Sequence, residues 1–119
     1  MAARGHGAIV NVTTMVANFG LPGMALYGAT KAALQLLTKA WAAEFGPAGV
    51  RVNAVSPGPT RTEGTEAMGE GLDRLAASTP AGHPASAEQV ADAIVFLASR
   101  QAQHIHGVVL PVDGGRLAV

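Results

Sequence analysis

Tyr27 and Lys31 stand four positions apart in this sequence, shortly after the hydroxyl pair Thr13 and Thr14. If the segment is helical, the phenol and the ammonium leave the same face about one turn apart. A neighbouring positive charge stabilises a phenolate, so such a tyrosine could exchange a proton near neutral pH. A surface pair without chemical consequence has the same spacing, and the flanking sequence must decide between the two interpretations.

The first two elements predicted around this pair are a buried strand and a long helix. Ala8–Val12 is short and β-branched, and Thr13 and Thr14 follow it directly. Loop-forming residues then precede a helix from about Ala25 to Phe45. Apolar residues recur along that helix at spacings of three and four, and these are Leu34, Leu37, Ala40, Trp41 and Phe45.

Two further strands and a second helix complete the pattern. The predicted strands are Val50–Val55 and Gly107–Val112, and a capping box, Ser86 to Gln89, opens a helix that runs to about Ser99. The stretch from Thr60 to Pro84, with one weak helical segment at 64–77, looks more like a mobile lid than a core element. Alternating strands and helices favour a parallel sheet, whose ligands bind beyond the carboxyl ends of the strands. Thr14 and Pro57-Gly58 follow such ends.

The composition of the chain limits which partners, ligands and compartment are expected. The chain has 119 residues and 49% hydrophobic content, enough for a single domain over 1–119. Eight basic and eight acidic residues balance, so neither nucleic acid nor a membrane surface is an expected partner. No apolar run is long enough for a membrane span, cysteine is absent, and His104 and His106 lack further ligands. We therefore predict a cytoplasmic protein without a metal site.

Four segments, in this order and spacing, resemble the short-chain dehydrogenase/reductase family across nearly the whole chain. They are Ile9–Thr14, Tyr27–Ala33, Arg51–Gly58, and the stretch from Phe96 through Gly107 to Gly115. The resemblance implies an α/β fold, a partial Rossmann-like doubly wound sheet with about three parallel strands and flanking helices. It also implies an oxidoreductase that interconverts a carbonyl and an alcohol in a small molecule, with NAD or NADP as hydride carrier.

The resemblance assigns roles to residues. Tyr27 is the acid/base, and Lys31 supports the phenolate and hydrogen-bonds the ribose of the cofactor. Thr14 occupies the place where the family usually has serine to hold the substrate oxygen, and its methyl group predicts altered substrate tolerance. Cofactor contacts are expected from Tyr27, Lys31 and the loop over the nicotinamide, which comprises Pro57, Gly58, Thr60 and Thr62. A purely structural alternative is that Thr13 and Thr14 only cap a strand end.

One family feature is missing from this sequence: there is no Gly-x-x-x-Gly-x-Gly loop for the dinucleotide. The chain thus looks like the C-terminal half of a family member, from the fifth strand onward. If the chain is that half, the strand Ile9–Val12 has an open edge, and the chain alone is expected to be only marginally stable. Homo-oligomers are expected by resemblance. The lid sequence specifies no substrate, and the residues that distinguish NAD from NADP belong to the missing half. The second interpretation is a catalytically silent truncated fragment or an interaction module.

Overall fold

The computed structural model describes all of residues 1–119, and it contains five strands and three α-helices. In chain order these are β1 (Gly7–Val12), α1 (Ala25–Phe45), β2 (Val50–Pro57), β3 (Thr60–Arg61), α2 (Glu70–Ala77), β4 (Ala85–Ser86), α3 (Ala87–Ala98) and β5 (Val109–Val112). None of the helices combines the length and hydropathy needed to cross a membrane.

The main sheet has three parallel strands in the order β1-β2-β5. β1 pairs with β2 from Gly7 opposite Val50 to Val12 opposite Val55. The central strand β2 is the most deeply buried element, because it has a neighbour on each edge and a helix on each face. The predicted α/β fold with about three parallel strands and flanking helices is confirmed.

Apolar residues close both faces of the sheet. On one face, α1 packs Ala42, Trp41 and Phe45 against Val50 and Val52. The core on the other face, which involves α3, contains Val55, Val90, Leu97 and Ala102. Burial of a large aliphatic side chain contributes about 1.5–3 kcal/mol, so these two small cores are the main source of stability.

The predicted limits of α1 are confirmed, but its inward face differs from the predicted stripe. Leu37 is 42% exposed and Ala40 is also exposed. The buried positions are Gly28, Thr38 and Ala42, none of which carries a large apolar side chain. The predicted stripe is therefore correct in part: Trp41 and Phe45 pack against the sheet, whereas Leu37 and Ala40 lie outside the inward face.

The segment between β2 and α3 is packed more tightly than a loose lid. β3 pairs in parallel with β4, so the two ends of the segment are joined by a small sheet that the sequence did not predict. The predicted helix at 64–77 is divided at Gly69, which has a φ of 47°. A 3₁₀ turn, Glu63–Met68, precedes this break, and α2 follows it with Leu72 and Ala76 buried.

The two outer edges of the main sheet differ in how well they are protected against pairing with another strand. Pro111 lies on the outer strand β5, and the hydrogen bonds of β5 to β2 involve Val108 and Val112. By strand alternation, Pro111 therefore presents its nitrogen, which has no hydrogen, to the outside. β1 has neither proline nor charge, and its outer edge carries no partner strand. The open edge predicted for Ile9–Val12 is present.

Candidate active site

The two threonines after β1 have different hydrogen-bond partners. Thr13 donates to the carbonyl oxygen of Val55 from both its backbone nitrogen, at 2.8 Å, and its hydroxyl, at 3.0 Å. Thr14 caps the 3₁₀ turn Met15–Ala17, and its hydroxyl accepts a 3.4 Å bond from the nitrogen of Val16. Thr13 therefore closes the strand end, whereas the Thr14 hydroxyl donates to no group of the protein.

Tyr27 and Lys31 lie in the first two turns of α1, as predicted. Tyr27 is 46% exposed, and its hydroxyl has no partner within the chain. Nζ of Lys31 is 6.0 Å from the centre of the Tyr27 ring and donates a 3.0 Å hydrogen bond to the carbonyl oxygen of Val12. The ammonium thus lies between the helix that carries the phenol and the strand that leads to Thr14.

Gly28 allows the start of α1 to approach the turn after β1. A Cβ atom at this position would lie 2.9 Å from the carbonyl oxygen of Val16. That separation is too short for an unshifted side chain, so the helix needs glycine immediately after Tyr27 to sit where it does. The same turn is capped by Thr14, and the close approach therefore links the positions of Thr14 and Tyr27.

A cleft of about 400 Å³ opens at the carboxyl ends of β1 and β2. The residues that line it are Val12, Thr13, Thr14, Tyr27, Pro57, Gly58, Thr60, Thr62, Thr65, Ala87 and Val90. Every predicted site residue except Lys31 is among them. Lys31 stands beside the cleft with its ammonium directed at Val12, which is part of the lining.

The loop after β2 is held in place at two points. Gly58 donates from its backbone nitrogen to Val112, and a Cβ added to it would come within 2.6 Å of Cα of Asp113. Only glycine lets the ends of β2 and β5 meet this closely. Beyond it, the Thr60 hydroxyl donates to the carbonyl oxygen of Gly58 at 3.0 Å.

Thr65 organises the rim of the cleft and was not predicted. Its hydroxyl accepts a 2.9 Å bond from the nitrogen of Thr62 and lies 2.8 Å from the carbonyl oxygen of Thr60. Thr62 and Thr65 form a capping box around the turn Glu63–Met68. The spacing of two threonines three positions apart was the available signal, although capping boxes usually have Glu or Gln at the second place.

Other polar groups offer no comparable site. No three His, Cys, Asp or Glu side chains come together as metal ligands. A hollow of about 470 Å³ at the opposite end of the strands includes Arg51, but that guanidinium is engaged with the carbonyl oxygens of Leu97, Ala98 and Ser99. At the exposed start of α3, hydrogen bonds from the Ser86 hydroxyl and from the backbone of Glu88 lower the pKa of the Glu88 carboxyl.

Known proteins similar to this chain include several dehydrogenases and reductases. The family model described as enoyl-(acyl carrier protein) reductase matches residues 1–116. A gluconate 5-dehydrogenase of Gluconobacter oxydans is 42% identical over 118 residues, which cover 97% of this chain and 46% of the relative. The chain spans about half the length of the curated relatives it matches.

Solved structures of similar proteins have the same fold as this chain. A short chain dehydrogenase/reductase family protein is 55% identical with a TM-score of 0.93, over 100% of this chain and 49% of its own. A gluconate 5-dehydrogenase from Burkholderia cenocepacia, solved in complex with NADP and tartrate, is 35% identical with a TM-score of 0.92, over 99% and 48%. The chain belongs to the short-chain dehydrogenase/reductase family.

Proposed function

We propose that this chain provides the proton-transfer side of an NAD(P)-dependent oxidoreductase that interconverts a carbonyl and an alcohol. The main support is the arrangement of three side chains at the ends of the strands. The hydroxyls of Thr14 and Tyr27 are free of protein acceptors, and both line one cleft at the strand ends, with Lys31 beside it. Free hydroxyl donors that converge in a concave site can bind and protonate a carbonyl oxygen.

In the direction of reduction, the Thr14 hydroxyl holds the substrate carbonyl oxygen through a hydrogen bond. Tyr27 transfers its phenolic proton to that oxygen as the carbon is reduced, and the product is the alcohol. Lys31 stabilises the phenolate left on Tyr27, because its positive charge is fixed near the ring by the bond to Val12. A bound nicotinamide would supply the hydride that the carbonyl carbon receives. Oxidation of an alcohol reverses each of these steps.

The cofactor in this proposal is NAD or NADP. Its ribose hydroxyls would be held by Tyr27 and Lys31, and the loop of Pro57, Gly58, Thr60 and Thr62 would lie over the nicotinamide. Support comes from the related structure with NADP, and from a cleft in which backbone groups and hydroxyls are abundant and charges are few. The sequence lacks a glycine-rich loop, so tight binding of the diphosphate requires groups outside this chain.

We place the chain as the C-terminal half of the family domain, acting on a small carbonyl or alcohol. Leu26 and Leu36, which are 80% and 70% exposed on α1, are apolar side chains available for contact between copies in a homo-oligomer. The unpaired edge of β1 fits a neighbouring strand from the other half.

The alternative is a catalytically silent fragment or interaction module that retains the motifs of its family. The observations that favour it are the half length relative to curated relatives and the absence of a dinucleotide loop. Under this alternative the cleft would be intact in shape but would bind no nicotinamide.

Titration of the chain with NADH and with NADPH, followed by nicotinamide fluorescence, separates these two functions. The enzyme proposal predicts saturable binding that is lost in Lys31→Ala. A matched control is Lys39→Ala, since Lys39 is an exposed lysine of the same helix that does not line the cleft. No binding at millimolar cofactor would leave only the silent fragment.

A further inference from the structure

Three polar contacts join one face of α1 to the end of β1. Nζ of Lys31 reaches the carbonyl oxygen of Val12 at 3.0 Å, and Nε2 of Gln35 lies 3.5 Å from the hydroxyl of Thr13. Deeper in the structure, Nδ2 of Asn11 donates to the hydroxyl of Thr38 at 2.9 Å. The helix positions 31, 35 and 38 share one face, so these contacts form a continuous polar seam.

Thr38 is the buried anchor of this seam. Its exposed fraction is 0%, and its hydroxyl both accepts from Asn11 and donates to the carbonyl oxygen of Leu34 at 2.8 Å. The core around it, where Trp41, Ala42 and Phe45 of α1 meet the sheet, is apolar, and apolar contacts have little directional preference. A hydrogen bond keeps its energy only over a narrow range of distance and angle. The Asn11–Thr38 bond is therefore the buried polar contact that helps to specify how far α1 lies along β1.

We propose that Thr38 and Asn11 are positioning residues for the catalytic groups, an inference that rests on the proposed function. Thr38 and Tyr27 lie on one helix, and Asn11 and Thr14 lie on or next to one strand. The Asn11–Thr38 bond therefore sets the separation between the Tyr27 phenol and the Thr14 hydroxyl. Reactive groups misplaced by about 1 Å can lose about 100-fold in rate, which is why a contact remote from the cleft matters.

The single tyrosine of the chain gives a direct readout of this positioning. Incorporation of meta-fluorotyrosine places one fluorine label at Tyr27, and fluorine NMR then reports its surroundings without cofactor or substrate. We expect Thr38→Val, which removes the hydroxyl, to shift or broaden this resonance. Thr38→Ser, which keeps the hydroxyl, should restore it.

A matched control is Leu97→Ala, which removes core packing on the opposite face of the sheet. It should lower the melting temperature without moving the fluorine resonance. If Thr38→Val lowers the melting temperature and leaves the resonance unchanged, the bond is merely structural and the proposal is overturned. Should Thr38→Val fail to fold, Asn11→Ala removes the other partner and must shift the resonance instead; an unchanged signal there also overturns it.

If the proposed function is wrong but the positioning role is right, the experiments give a different combination of results. A shifted fluorine resonance together with no nicotinamide binding by the wild-type chain would preserve the positioning role and reject the enzyme. Where carbonyl reduction is measurable, Thr38→Val should lower kcat about tenfold or more with KM unchanged, because it alters geometry and not substrate contacts.

Discussion

Lys31 donates a 3.0 Å hydrogen bond from Nζ to the carbonyl oxygen of Val12. The next backbone nitrogen, that of Thr13, points to β2, so alternation along the strand turns the Val12 carbonyl to the open edge of the sheet. The ammonium is therefore fixed where the strand edge meets the cleft. A helix residue and a strand carbonyl together hold a positive charge beside Tyr27 in the absence of any acidic partner.

Lys31→Arg tests whether a compact ammonium is required. The guanidinium keeps the charge but is planar and larger, so a bond to Val12 fixes the direction of its remaining donors, and we expect a poorer fit to a ribose. Loss of a charge-assisted hydrogen bond corresponds to about 1.5–3 kcal/mol, so nicotinamide affinity should fall about 10- to 100-fold while the melting temperature stays near that of wild type. Equal affinity in the two proteins, measured by fluorescence titration, would contradict this role.

Gly58→Ala should destabilise the chain. Its Cβ would lie 2.6 Å from Cα of Asp113, and backbone atoms cannot move aside without separating β2 from β5. Overpacking of this kind destabilises by about 1–3 kcal/mol. Thermal denaturation measures the effect, with Gly20→Ala as control because a Cβ there meets nothing within 4 Å. Identical melting temperatures for the two variants would show that the ends of β2 and β5 can move apart at little cost.

Arg51→Met should loosen the C-terminal end of α3. The guanidinium donates to the carbonyl oxygens of Leu97, Ala98 and Ser99 at 2.6, 3.1 and 3.0 Å. Its loss leaves Leu97 and Ala98 without this partner, whereas Ser99 still accepts from the nitrogen of Ala102. We expect a loss of about 1 kcal/mol, since the site is partly open to water. Hydrogen exchange should accelerate in the last turn of α3, whereas Arg100→Met should leave it unchanged. Unaltered exchange in Arg51→Met would refute the capping role.

The open edge of β1 predicts association of the isolated chain. Large oligomers in size-exclusion chromatography are the expected result, because the edge from Ala8 to Val10 is unpaired and the Lys31 ammonium covers only Val12. By alternation, the Ala8 nitrogen faces outward, so Ala8→Pro should reduce the oligomers without removing a bond to β2. Ile9→Pro, whose nitrogen faces β2, should instead unfold the chain. If the wild-type chain is a stable monomer that unfolds cooperatively, the edge of β1 does not promote association and the prediction is wrong.

Local signals in the sequence were sufficient for the main elements. Both ends of α1 were predicted correctly, since loop formers precede Ala25 and Gly46-Pro47 follows Phe45. The capping box from Ser86 to Gln89 is present with both of its hydrogen bonds. The third strand was predicted from Gly107 but begins at Val109, because Gly107 has a φ of 71°.

Contacts between distant segments were beyond these signals. The pairing of β3 with β4, the bond from Asn11 to Thr38 and the engagement of Arg51 all join residues more than twenty positions apart. None of them follows a local period. For the site, the resemblance named six of the residues that line the cleft, and it gave no indication that Lys31 would be bound to Val12.

The rate of carbonyl reduction by NADPH, compared between wild type and Tyr27→Phe, tests whether Tyr27 is the group that donates the proton. Phenylalanine keeps the ring and removes only the hydroxyl that has no partner within the chain. General acid catalysis contributes about 100- to 10,000-fold, so we expect wild type to oxidise NADPH with a suitable carbonyl and the variant to lose rate by a factor of that size. An equal rate in both proteins would contradict it.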